Sequence, residues 1–151
     1  SCFNEQPWLV VCGTRPGSDD HNRVLGCMVE FNQSWARNAD LVMILFARRR
    51  FAHNGKANRH AGFDCGSAWM SLALQARGLG LYAHAMAGFD PTRAYPDLGV
   101  PEAASDAMAA IAVGVHGDPA DLPEPLRARE APSGRVPAAS FVHRGRYAPA
   151  G

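Results

Sequence analysis

Charge of one sign is scarce in this chain: 15 Lys and Arg stand against 14 Asp and Glu, for a net charge of +1. With that balance, and no Lys/Arg-rich block beyond Arg48-Arg49-Arg50, the electrostatic footprint of a nucleic-acid binder is missing. The arginine triplet closes an apolar run and reads as a solvated strand end. Long hydrophobic runs are missing too. No stretch approaches the roughly 18 apolar residues that a membrane span needs, and no pattern of a secretory leader is read in these residues. The four cysteines (Cys2, Cys12, Cys27 and Cys65) include no C-x-x-C pair, so neither a zinc site nor a dithiol redox site is expected. They read as reduced, buried thiols of a cytoplasmic protein, with two of them serving as small hydrophobes inside apolar segments. Neither a Walker A motif nor G-x-G-x-x-G occurs, which argues against a Rossmann dinucleotide site. No internal repeat is visible.

What is present suffices for one ordinary domain: 151 residues, 47% of them hydrophobic. After Pro7, the run Trp8 to Cys12 is a buried strand stopped by Gly13. Thr14 to Asp20 is a loop with Ser18, Asp19 or Asp20 as a helix N-cap. Val24, Leu25, Met28, Val29 and Phe31 then recur at helical spacing, predicting one helix that runs past Trp35 to about Asn38. Leu41 to Phe46 is apolar throughout, as in a strand covered on both faces. The polar stretch from Arg48 to Gly62 reads as a mobile loop, after which Asp64 caps a long helix ended by Gly78 and Gly80. Leu81 to Met86 is a third strand, Pro91 to Leu98 a short helix, and Met108 to Val115 a fourth strand. From Asp118 onward, Pro, Ala and Arg dominate. That tail is too poor in large apolar residues to form a core, and it is expected to be disordered or to wrap a partner. Four strands and two substantial helices give a mixed α/β or α+β class.

Four blocks, in order, carry the reading further. They are Ser1-Cys2-Phe3-Asn4-Glu5-Gln6-Pro7-Trp8; Asn32-Gln33-Ser34-Trp35; Asp64-Cys65-Gly66-Ser67-Ala68 running to Gly78-Leu79-Gly80; and His84-Ala85-Met86-Ala87-Gly88-Phe89-Asp90 followed by Leu98-Gly99-Val100-Pro101. A C-terminal set, Gly114, Leu122-Pro123, Glu130 and Arg135-Val136-Pro137, completes them. Together they resemble the FMN-dependent nitroreductase family over nearly the whole chain.

That resemblance implies an α+β three-layer sandwich around a mixed or antiparallel sheet. It also implies a domain-exchanged homodimer with two FMN molecules in its interface. Residues 1–151 would form a single domain, with an extended arm from about residue 118 wrapping the partner and an edge strand added near Phe141 to Tyr147. The resemblance assigns flavin contacts to Met86, Ala87 and Gly88, where backbone N–H groups serve the isoalloxazine ring and Gly88 lets backbone approach it. Asn32, which both donates and accepts, suits the flavin N3–H and O2. Ser1, Cys2 and Asn4 match the loop that reaches the flavin of the other subunit, with Gln6 supporting it and Trp8 in the core. Arg135 matches a basic position near the flavin phosphate. His84 reads as structural, and no side chain is assigned as an essential catalyst. The implied reaction is ping-pong transfer from NAD(P)H, through flavin N5, to a nitroaromatic or quinone. Two departures stand out. Ala87 replaces an acidic residue of some relatives, and no segment with the family's R-x-S-like phosphate clamp precedes Ser1 in this sequence. They motivate the alternative of a flavin-binding member with lost activity. A further alternative is a specialised chemistry, dehalogenation or flavin fragmentation, with its substrate groups on the loop from Arg48 to Gly62.

Overall fold

The computed structural model describes residues 1–147. The described residues divide into two compact units, one of residues 1–116 and one from residue 117 onward. In the first, a 3₁₀ turn at Cys2–Asn4 leads into β1 (Trp8–Thr14), α1 (Asp19–Gly26), α2 (Glu30–Ala36), β2 (Leu41–Arg48), α3 (Ala61–Gly78), β3 (Tyr82–Met86), α4 (Pro91–Leu98) and β4 (Ser105–Gly114). The four strands form one sheet in the order β1-β2-β4-β3, and every pairing is antiparallel. β4 begins at Ser105, three residues before the expected start, because Ser105 to Ala107 pair with Phe46 to Arg48. No helix among the described residues is long and apolar enough to cross a membrane.

The alternation of β2 explains the layering. Val42, Ile44 and Phe46 face one core with Val24, Met28, Ala36, Met86 and Tyr95 of the α1, α2 and α4 side. Met43, Leu45 and Ala47 face the other, against Ala61, Cys65 and Ala76 of α3. Burial on both faces accounts for the uninterrupted hydrophobicity of this strand. α4 is fastened by a buried tyrosine: Tyr95 Oη accepts the Ala107 N–H at 3.0 Å and donates to the Ser105 carbonyl at 3.1 Å.

Several local expectations are corrected. Gly13 does not stop β1, which continues to Thr14. A side chain at Gly13 would run into the backbone of Asp20 and His21, so the glycine serves the close approach of α1. Ser18 is the α1 N-cap and accepts the His21 N–H at 3.3 Å. The long helix expected from Val24 to Asn38 is two helices, broken at Cys27 to Val29. Met28 there forms a β-bridge with Phe89, and the Val29 N–H donates to the Gly88 carbonyl at 3.1 Å. The stretch from Arg48 to Gly62 is a built hairpin-like turn. Arg50 bridges Ala57, Phe51 N–H donates to the Lys56 carbonyl at 2.9 Å, and Gly55 N–H donates to the Phe51 carbonyl at 2.8 Å. Asp64 is not a cap: α3 starts at Ala61, and Asp64 lies inside its first turn. Cys12 is exposed and Cys2 half-buried, so only Cys27 and Cys65 are buried thiols.

The second unit holds α5 (Glu124–Arg127) between short 3₁₀ turns at Pro119–Asp121 and Ala138–Ser140. Val136, Phe141, Val142 and Tyr147 are exposed on it.

Candidate functional site

The break between α1 and α2 builds one half of the site. With Val29 extended and held to Gly88, α2 starts directly over the turn that leaves β3. Asn32, one turn into α2 and only 9% exposed, donates through Nδ2 to the Gly88 carbonyl at 2.8 Å. Gly88 is glycine for this contact: a side chain there would collide with Asn32 Nδ2 and come within 3.1 Å of Val29 Cγ2. Within the protein, Gly88 admits the close approach of Asn32. Met86 is buried behind the turn, whereas Ala87 is exposed. Among the described residues, the N–H groups of Ala87 and Gly88 reach no acceptor, and Asn32 Oδ1 receives no hydrogen bond. Buried backbone groups are ordinarily paired, whereas the N–H groups of exposed Ala87 and half-buried Gly88 are open to solvent or a ligand. Two fixed donors beside one acceptor at a single turn are the complement of a flat heterocycle with ring-nitrogen, carbonyl and imide groups on its edge. The residues present thus fit a flavin ring.

The N-terminal turn forms a second cluster. Phe3, Asn4 and Gln6 all have φ between 51° and 55°, an uncommon conformation for side-chain-bearing residues. Runs of such strained backbone gather at functional sites and persist only where the surroundings hold them. Here Ser1 Oγ accepts the Gln6 N–H at 3.0 Å, and Asp64, 5% exposed, accepts the Cys2 N–H at 3.0 Å through Oδ2. Phe3 meets Phe51 and His53 edge-on, with ring centroids 5.9 and 6.0 Å apart. Glu5 accepts the Ala52 N–H at 2.7 Å and lies 3.5 Å from His53 Nδ1. The turn is thus bolted both to α3 and to the hairpin after β2.

Ser1, Cys2 and Asn4 come together on this turn, which feeds β1 at one edge of the sheet. Asn32, Met86, Ala87 and Gly88 come together beside β3, at the other edge. Arg135 belongs to the second unit, where its Nη1 donates to the Ser133 carbonyl, Ser133 Oγ and the Gly134 carbonyl, each at 3.0 Å. His84 packs its ring edge-on to Trp35 at 5.3 Å, a structural contact. The anchoring roles of Val29 and Asp64 were missed by sequence reasoning. Val29 had looked like part of a helical stripe, and an acidic residue near a helix start suggested a cap.

The buried thiols are poor nucleophiles. Burial, reinforced by neighbouring Asp64, pushes the Cys65 thiol up to about 11, and burial with the Asp97 charge raises Cys27. The chemistry of this site therefore does not rest on a thiolate from either.

No family model matches the chain. A Mycolicibacterium smegmatis protein described as an uncharacterized 15.4 kDa protein in the ask 5' region is 29% identical over 131 residues, 86% of each chain. A solved oxidoreductase described as containing FMN is 36% identical, covers 99% of this chain and 76% of its own, and superposes with a TM-score of 0.92. A nitroreductase family protein from Clostridium difficile 630 is 18% identical over 97% of this chain and 78% of its own, with a TM-score of 0.68, and shares the fold. The full-length match at 36% identity and the ordered motif blocks lead to one assignment: this chain belongs to the nitroreductase family of FMN oxidoreductases.

Proposed function

We propose that the protein is an FMN-dependent, NAD(P)H-consuming oxidoreductase. The observation that carries this is the match, over essentially the whole chain, to a solved oxidoreductase containing FMN. When bound, FMN would accept hydride at N5 from NAD(P)H and return the electrons to a nitroaromatic or quinone, with the donor leaving before the acceptor enters. The chain's own part is binding and orientation. Ala87 and Gly88 present fixed N–H donors to the ring, which cost no reorganisation when charge develops on it. Asn32 offers its Oδ1 to an imide N–H while its Nδ2 stays on Gly88 and fixes the amide plane. Ser1, Cys2 and Asn4 would reach the ring held by a second subunit, which accounts for their place at the opposite sheet edge from Gly88.

The second subunit is part of the proposal. α3 carries an exposed stripe of Phe63, Met70 and Leu74 (77%, 54% and 66% exposed) with Gly66 and Ser67 between them. Such a patch on one helix face favours a partner helix. We assign it to a homodimer, with residues from about 118 onward as the exchanged arm that brings Arg135 toward the flavin phosphate.

FMN titration followed by flavin fluorescence tests the site. Wild type is expected to bind one FMN per protomer. Asn32→Asp places a carboxylate against the Gly88 carbonyl and removes a donor, and is expected to weaken binding by roughly tenfold or more. A wild-type protein that does not bind FMN would refute the function, and an undiminished Asn32→Asp variant would refute the site.

A further inference from the structure

The hairpin after β2 is the most one-sided segment of the molecule. Residues 48–60 include Arg48, Arg49, Arg50, Lys56 (the only lysine) and Arg59, with His53 and His60 and no acidic residue. The rest of the chain has ten cations against fourteen acids, a net −4, so the positive charge is concentrated here. Of the acids that approach the hairpin, Glu102 acts on Arg49 by its charge alone, and the others are engaged. Asp106 holds Arg49 at 2.7 Å, Glu5 holds Ala52 N–H and His53, and Asp64 takes the Cys2 N–H. Arg50, Lys56 and Arg59 are exposed and have no carboxylate partner among the described residues. Arg50 reaches the hairpin tip, where its Nη1 donates at 2.9 Å to the carbonyl of Gly55, the residue before Lys56. The hairpin is hydrogen-bonded at tip and base: Asn54 Oδ1 accepts the Lys56 N–H at 2.8 Å, and Asn58 N–H donates to the Arg49 carbonyl at 2.7 Å. Through Phe3, Phe51, His53 and Glu5 the hairpin is fixed to the N-terminal turn of the candidate flavin site.

We propose that Arg50, Lys56 and Arg59 bind the phosphate monoester on the adenosine ribose of NADPH, so that the enzyme prefers NADPH to NADH. This rests on the oxidoreductase reading above and names its electron donor. A phosphate monoester carries about −1.5 to −2 charge near pH 7. Desolvating so compact a dianion needs several cations on a fixed frame, which the hairpin supplies. A nucleic acid would need a basic track many phosphates long, whereas Arg50 and Lys56 on the hairpin, with Arg59 in the turn that follows it, are a number of cations suited to a single phosphate. The nicotinamide end has no such group, so the hairpin discriminates between donors without touching the reacting atoms.

Two measurements test this on the full chain. Calorimetric titration with 2',5'-ADP and with 5'-AMP is expected to show the former binding about tenfold or more tightly at low salt, with the gap narrowing as ionic strength rises. The triple variant Arg50→Gln/Lys56→Gln/Arg59→Gln is expected to close the gap. Equal binding of the two nucleotides by wild type overturns the proposal whether or not flavin binds. In turnover, the triple variant is expected to lower kcat/KM for NADPH about tenfold, through KM, and for NADH less than twofold. Equal losses for both donors overturn it. A loss of FMN affinity in the triple variant assigns these cations to the flavin phosphate instead and also overturns it. If wild type binds 2',5'-ADP selectively but neither FMN nor NADPH turnover is found, the oxidoreductase reading falls while the phosphate site stands.

Discussion

Gly88 and Asn32 make one unit, and neither can change alone. Gly88→Ala drives a methyl into the Asn32 amide and against Val29. Overpacking of this kind costs about 1–3 kcal/mol, and the displaced amide gives up its 2.8 Å bond to the Gly88 carbonyl. Chemical denaturation of Gly88→Ala should therefore show a lower midpoint, and FMN titration a weaker affinity. Asp64 acts in the same manner on the other cluster. Its carboxylate is nearly buried on the Cys2 N–H, and Asp64→Ala should destabilise the protein by about 1.5–3 kcal/mol. Limited proteolysis should then cut within the first six residues, which stay protected in wild type. The thiols give a pH-dependent test. The folded Cys65 thiol is raised from 9.0 to about 11, so the folded state holds this proton more tightly than the unfolded one. Its contribution to stability is complete below about pH 9 and is lost as pH climbs toward 11. Denaturation midpoints at pH 8 and 10.5 should differ more in wild type than in Cys65→Ala. At pH 8 a thiol reagent should modify Cys12 and Cys2 first, and Cys27 and Cys65 only after unfolding.

At the scale of elements, the hydrophobic pattern located most of the frame. β2, β3 and α4 lie where their apolar runs place them, β1 starts where its run does but continues through Gly13, and β2 is buried on both faces as its composition implies. The pattern failed where a distant contact outweighs local preference. The stripe from Val24 to Trp35 is continuous in sequence, but the Met28–Phe89 bridge and the Val29–Gly88 hydrogen bond interrupt it, and no local signal marks the break. The polar run after β2 looked mobile because polarity says nothing of a bridge between Arg50 and Ala57. The site was legible in the same uneven way. The motif blocks named Asn32, Met86, Ala87 and Gly88, which the fold brings together. The proposed role of that turn rests on two backbone N–H groups that reach no acceptor among the described residues, and backbone donors leave no mark on residue identity. α3 offers the prediction proper to this scale. Met70→Glu with Leu74→Glu puts two charges on its exposed apolar stripe. Sedimentation should show a dimer for wild type and a monomer for the double variant, with FMN affinity falling in parallel. A wild-type monomer at micromolar concentration would contradict the shared site.

At the scale of the molecule, the sheet carries two candidate half-sites on opposite edges, which the proposed second subunit would unite. The fold supplies position and donors, while the redox chemistry is the cofactor's. A polypeptide with these residues and no reactive buried thiolate has little redox capacity of its own, so the account stands or falls on the flavin. The most direct measurement is an anaerobic titration of the FMN-reconstituted protein with NADPH, followed by the yellow absorbance, and then by addition of a quinone. The account predicts that about one equivalent of NADPH per bound FMN bleaches the colour and that the quinone restores it. A bound flavin that stays yellow under excess NADPH and NADH would contradict it, and would leave a flavin-binding protein without the oxidoreductase activity proposed.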